Sequence, residues 1–198
     1  MTRLIVEAFF RTLYAQKRVP IKVVSDELQA KLIFDPMRRE ILRLLSKRAY
    51  TEKELSDTIG ISPPSIGHHL KALTRGQLIS EVRREAGSHG IVQKWYMSNA
   101  QAFVVDRDPL RNDIRRYFMP MDIERTRGVV ACLSLLKDTV TPSTRQMESM
   151  TRQICTALVK TARNYDGPIE DDPERTIHRL YVRAFRQLEI IAPHQIIA

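Results

Sequence analysis

Ser62, Ser65, His68, Lys71 and Arg75 fall within one short stretch, and their types suit hydrogen bonding better than bond cleavage. A helix over residues 63–75 turns Ile66, Leu70 and Leu73 inward. Pro64, Ser65, His68, Lys71, Ala72 and Arg75 then face outward. A major groove about 12 Å wide admits one helix whose exposed face is short and polar, and this face meets that requirement. Ser65 and His68 lie toward the helix start, the end that meets base edges, whereas Lys71 and Arg75 fit phosphates. The N–H groups at the helix start are further candidates for phosphate. His69 lies around the helix from His68, which makes it a partly buried edge residue first and a phosphate contact second. Adjacent histidines point to different sides of a helix, so they make a poor metal pair. The competing reading is an ordinary solvated face.

A second group of donors follows in a hairpin. Arg83, Arg84, Ser88, His89 and Lys94 could straddle a phosphate backbone or enter the minor groove, and Gly87 and Gly90 let the tip come close. Trp95 and Tyr96 are expected to pack this hairpin on the helices rather than stack on bases. No phosphate-binding glycine loop, nucleophile elbow or catalytic triad is present, so neither an enzyme nor a bound cofactor is expected. Cys132 and Cys155 are too few for a disulfide framework and sit in helical patterns. They read as buried small hydrophobes, with a thiol switch or half a metal site as the alternative. His178 and His194 are isolated.

The elements that must position these groups are marked by an Asp, Ser or Thr before proline, a combination that caps a helix start. It occurs at Asp35-Pro36, Ser62-Pro63, Asp108-Pro109, Thr141-Pro142 and Asp172-Pro173. An amphipathic helix is predicted over 1–15, a short extended piece over 20–24 and a helical stretch over 26–34. From Pro36, the residues Met37, Ile41, Leu42, Leu44 and Leu45 form a buried stripe. Thr51 to Glu54 is a capping box for a helix that buries Leu55 and Ile59 and stops at Gly60. Strands over 79–86 and 91–98 follow. Helices are predicted over 122–140, 142–165 and 173–192, with Gly167-Pro168 as a stop. The fold class is therefore mainly α with a small β-hairpin: a winged helix-turn-helix domain over 35–100, between an N-terminal helical arm (1–34) and an all-helical region (101–198). The last region carries apolar stripes that need partners, for dimerisation or effector binding.

Charge divides the same way. Residues 1–100 hold 17 Lys and Arg against 10 Asp and Glu, and residues 101–198 hold 15 against 13. A basic front half points to a polyanion and a near-neutral rear to another task. No apolar run approaches the ~20 residues of a membrane span. The stretch Leu4-Ile5-Val6 is interrupted by Glu7 and followed by Arg11, a poor signal peptide, so a cytoplasmic protein with no membrane partner is expected.

Three motifs in order carry a resemblance: Asp35-Pro36-Met37-Arg38-Arg39-Glu40-Ile41-Leu42-Arg43-Leu44-Leu45, then Thr51-Glu52-Lys53-Glu54-Leu55, then Ile61-Ser62-Pro63-Pro64-Ser65-Ile66-Gly67-His68-His69-Leu70-Lys71-Ala72-Leu73. Over about residues 28–98 the chain resembles the arsenical-repressor (ArsR-type) winged-helix family. The resemblance implies a cytoplasmic, usually dimeric regulator that binds double-stranded DNA. Two departures matter. Gly76 stands one place before the position usual for glycine, where Gln77 is found, which predicts a shifted turn. Ser56, Asp57 and Thr58 occupy the place of a cysteine pair, and 122–140 holds Asp122 and Asp138 but no histidine, so metal sensing does not carry over. The expected function is a regulator, a homodimer on a pseudo-palindromic operator, with its effector unknown. The alternatives are a winged-helix protein-interaction module of the transcription machinery and a ligand- or redox-controlled sensor.

Overall fold

Capping chemistry sets most of the helix starts. The computed structural model describes residues 18–86, 92–136 and 142–188. The expected arm helix over 1–15, the hairpin tip with Ser88 and His89, and the end of the last predicted helix lie outside those residues. Asp26 accepts from Gln29 N at 2.9 Å and opens α1 (Glu27–Phe34). Asp35 accepts from Arg38 N at 3.0 Å and opens α2 (Pro36–Lys47). Thr51 and Glu54 close the predicted capping box, at 3.1 and 2.7 Å, at the head of α3 (Glu52–Ile59). That helix ends at Gly60, whose φ of 81° is left-handed, and α4 (Pro63–Arg75) follows. Asp172 caps α7 (Pro173–Gln187).

Two of the proline signals are not helix starts. Asp108-Pro109 lies in a turn, and the Arg115 guanidinium donates to the carbonyls of Arg107, Asp108 and Leu110, taking acceptors that a helix would otherwise use. The next helix, α5 (Asn112–Leu136), starts ahead of the predicted residue 122 and runs through Pro120. A proline inside a helix costs about 3 kcal/mol. Burial of Ile114 and Phe118 offsets it, since each such side chain contributes about 1.5–3 kcal/mol. At Thr141-Pro142 the cap is instead Ser143, paired with Gln146 in a capping box, and α6 spans Thr144–Arg163. It stops before Gly167-Pro168.

The strands are β1 (Val19–Val24), β2 (Tyr50–Thr51), β3 (Ile79–Ala86), β4 (Val92–Ser98) and β5 (Ala100–Val105). An antiparallel sheet in the order β2-β4-β3 forms the wing. A register shift between Glu81 and Arg83 places Arg83 opposite Trp95 and Arg84 opposite Lys94. The extended piece expected over 20–24 is β1, and it pairs in parallel with β5, Val19 opposite Ala100 and Val24 opposite Val105. The chain between these strands holds the whole winged helix, so its entry and exit are hydrogen-bonded side by side.

The core gathers Val24, Ile41, Leu45, Leu55, Ile66, Leu70, Leu73, Leu78 and Ile79, all nearly inaccessible, and Leu110, Ile114 and Phe118 join it from the C-terminal side. The helical region is tied to β5 by Gln101, whose side-chain oxygen accepts from Glu170 N at 2.8 Å and Thr176 Oγ1 at 2.9 Å. Asp106 pairs with Arg163 of α6. The architecture is a winged helix followed by packed helices, as expected, except that β5 falls at the head of the stretch read as all-helical (101–198), held there by its pairing with β1. Cys132 is exposed on α5, against the expectation of burial. Cys155 is partly buried, and burial pushes its thiol up from the ordinary value.

Candidate nucleic-acid interface

The turn ahead of α4 is held by Ser56, which donates to the Ile61 carbonyl at 2.5 Å. Gly67 lets α4 approach α3 closely, since a Cβ there would stand 3.1 Å from the Glu52 carboxylate. Ile66, Leu70 and Leu73 are buried to 0–2% exposure, which fixes the rotation of α4 about its axis. Ser62, Pro64, His68, Lys71 and Arg75 are exposed and Ser65 half-buried on the opposite side, as predicted. Ala72 departs from the reading, being partly buried against the core.

Within the described residues, the side chains of Ser62, Ser65, Lys71 and Arg75 make no hydrogen bond or ion pair. His68 has one neighbour of note, the His69 ring at 5.9 Å between centroids. Every donor on this face is thus free for an external acceptor. The start of α4 is different from expectation. Pro63 and Pro64 have no N–H, and the Ser62 carbonyl accepts from Ser65 N at 3.0 Å and Ile66 N at 3.1 Å. No N–H of residues 63–66 remains for a phosphate, which leaves the Ser62 N–H and the side chains of this face as donors. His69 lies at the edge of the face, partly buried, with Nδ1 enclosed and unbonded. Desolvation holds its pKa below the ordinary imidazole value, opposed by the carboxylate of Asp35.

The wing carries its cations differently. Arg84 donates from Nε and Nη2 to the two Glu81 oxygens at 2.7 and 3.1 Å, and Lys94 Nζ stands 3.9 Å from the same carboxylate. Arg83 donates to Glu85 at 2.6 Å and lies over the Trp95 ring, 4.5 Å from its centroid. The Arg84 hydrogen bond holds the Glu81 carboxyl below its usual range. Trp95 and Tyr96 are half-buried, and Tyr96 packs on the core. Sequence reasoning located these cations but missed their partners. Glu85 sits two residues from Arg83 and Glu81 three from Arg84, and that spacing was the available signal.

The joint between α4 and β3 was also misread. Gln77 itself adopts the left-handed conformation, with φ 54°, while Gly76 has an ordinary negative φ of −75°. The turn keeps its usual place, and at 76 a Cβ would crowd Leu32 Cδ1, so that side chain would have to shift to admit one.

Away from this face, Arg107 pairs with the buried Asp122 and donates to Cys155 Sγ at 2.8 Å. No spacing rule could have joined these distant positions in advance. No helix among the described residues is long and apolar enough to cross a membrane.

Residues 35–81 match the model of the arsR family of bacterial regulatory proteins. A segment of 54 residues is 43% identical to the transcriptional repressor SdpR of Bacillus subtilis (strain 168), covering 27% of this chain and 60% of that protein. The family match ends at residue 81, ahead of the C-terminal helices. On motif order, fold and matched segment together, the chain resembles the ArsR-type winged helix-turn-helix regulators, with an additional helical region behind the wing.

Proposed function

We propose that this chain is a transcription regulator that binds double-stranded DNA through α4 and the wing. The observation that carries this reading is the set of unpartnered donors on α4, held by a fully buried Ile66-Leu70-Leu73 stripe. Ser65 and His68 read base edges, and Lys71 and Arg75 meet phosphates. Ser62 and Pro64 border the groove, with His69 at its margin. Arg83, Arg84, Ser88, His89 and Lys94 follow the backbone from the wing. Residues 35–100 form the reading unit. The arm (1–34) and the helical region (101–198) serve dimerisation or sensing, so that two copies in the cytoplasm bind a pseudo-palindromic operator. The similarity to a transcriptional repressor supports this assignment.

The test is duplex binding across a salt series. Log affinity should fall linearly with log salt, because each neutralised phosphate releases counterions. Selection from a random duplex pool should return sites with two-fold symmetry. Absence of duplex binding at low salt would refute the reading and leave the winged helix a protein-interaction module.

A further inference from the structure

The C-terminal helices do more than pack. Between β5, α5, α6 and α7, and against one side of α2, lies a cavity of about 400 Å³, within the size of small-molecule sites. Its walls are chiefly apolar: Val105, Phe118, Ile154, Leu158, Leu180 and Tyr181. Four arginines also reach it, Arg39, Arg43, Arg107 and Arg125, against the carboxylates of Asp122 and Glu174.

The charges do not balance evenly. Arg43 is bound at 2.5 Å to Glu40. Arg107 pairs with Asp122, and Arg125 stands 4.0 Å from that carboxylate. Arg39 has no carboxylate within the described residues, and its Nη1 meets only the thioether of Met121, at 3.5 Å. The Nε atoms of both Arg39 and Arg107 are buried without a hydrogen-bond partner. A guanidinium donor enclosed without an acceptor is costly, and an anion entering the cavity would relieve it. Inorganic phosphate would satisfy the arginines but leave the apolar walls against a hydrated ion. A neutral oil would fill the walls and leave the donors unmet. A cation would meet like charge.

We propose that this cavity binds a small amphipathic monoanion, its acidic group at Arg39 and its apolar body between α5, α6 and α7. Arg39 and Leu42 of the cavity wall sit on α2, which shares the core that supports α4. An occupant would therefore bear on the helix behind the reading face. That regulatory role rests on the DNA-binding reading, whereas the binding itself does not.

Isothermal titration calorimetry of the full chain, without DNA, tests it with decanoate, decanol and decyltrimethylammonium. Decanoate should bind once per chain, decanol about tenfold or more weakly, and the cation not at all. Arg39→Gln should bring decanoate to the level of decanol and leave decanol unchanged. Leu158→Trp, which fills the cavity, should abolish both. No heat with decanoate, equal binding of all three amphiphiles, or decanoate affinity unmoved by either variant would overturn the proposal. The headgroup series on the unaltered chain decides the matter even if a variant fails to fold. Because no duplex is present, failure here leaves the DNA-binding reading standing.

Discussion

The reading face of α4 and the wing both carry exposed cations, but they hold them in opposite states. Lys71 and Arg75 have no partner within the described residues, whereas Arg83 and Arg84 are each bound to a glutamate. A free cation gives its whole electrostatic attraction to a phosphate. A paired one must first give up its carboxylate, so the net gain is small and the displaced carboxylate faces the phosphates. Counting basic residues therefore overstates the wing and understates α4.

The largest expected consequence is a split between substitutions. Ser65→Ala or His68→Ala should cost about 1–3 kcal/mol on the preferred duplex and blur sequence preference. Arg84→Ala should cost clearly less, uniformly over sequences. Competition binding on a preferred and a scrambled duplex measures both. A loss for Arg84→Ala as large and as sequence-dependent as that for His68→Ala would break the distinction.

Salt dependence sharpens it next. Lys71→Ala should reduce the slope of log affinity against log salt by about one, the mark of one lost phosphate contact. Arg84→Ala should reduce it by a smaller amount, since Glu81 already neutralises that guanidinium. Equal slopes for the two variants would mean that the Glu81 pair opens fully on the duplex.

The joint between the two regions shows what was legible in the sequence and what was not. Local signals served well. The Thr51–Glu54 box, Gly60, the buried stripe of α4 and the outward residues Ser65, His68, Lys71 and Arg75 were each readable from a few neighbours. The errors arose where a distant group decided. Leu32 crowds the place a Cβ would take at Gly76, and β5 forms because β1 lies alongside; neither partner is near in sequence. Asp108-Pro109 failed as a cap because Arg115 took its carbonyls. Pro63 and Pro64 were a local signal that went unused, since two residues without N–H cannot present a free donor turn. The left-handed Gln77 gives a stability test of this joint. Left-handed backbone costs a non-glycine residue about 1–2 kcal/mol, and glycine loses about 0.5–1 kcal/mol more entropy on folding. Gln77→Gly should thus stabilise the protein by about 0.5–1 kcal/mol in urea unfolding. A loss of stability would show that the Gln77 side chain, rather than its backbone, secures the turn.

The smallest expected effect is also the most direct probe of the wing. Glu81 binds Arg84 through both oxygens and draws Lys94 to 3.9 Å. Glu81→Gln removes the acceptor charge from both cations at once and takes a carboxylate away from the path of the duplex. Duplex affinity should rise roughly two- to fivefold, and the salt slope should steepen. Acid is a poor substitute for this change. Arg84 holds the Glu81 carboxyl below its ordinary value, so the pair is present above the unfolded glutamate value and is lost only as pH falls through the depressed one. The affinity ratio of Glu81→Gln to the parent should accordingly stay flat from neutral pH to about pH 5, because the histidines titrate in both proteins and cancel. A ratio that collapses toward one over that range would place the Glu81 carboxyl near neutrality and remove the pairing that separates the wing from α4. A flat ratio with weaker binding at every pH would instead make Glu81 a support for the wing, and the cations beside it would then owe their position to the carboxylate.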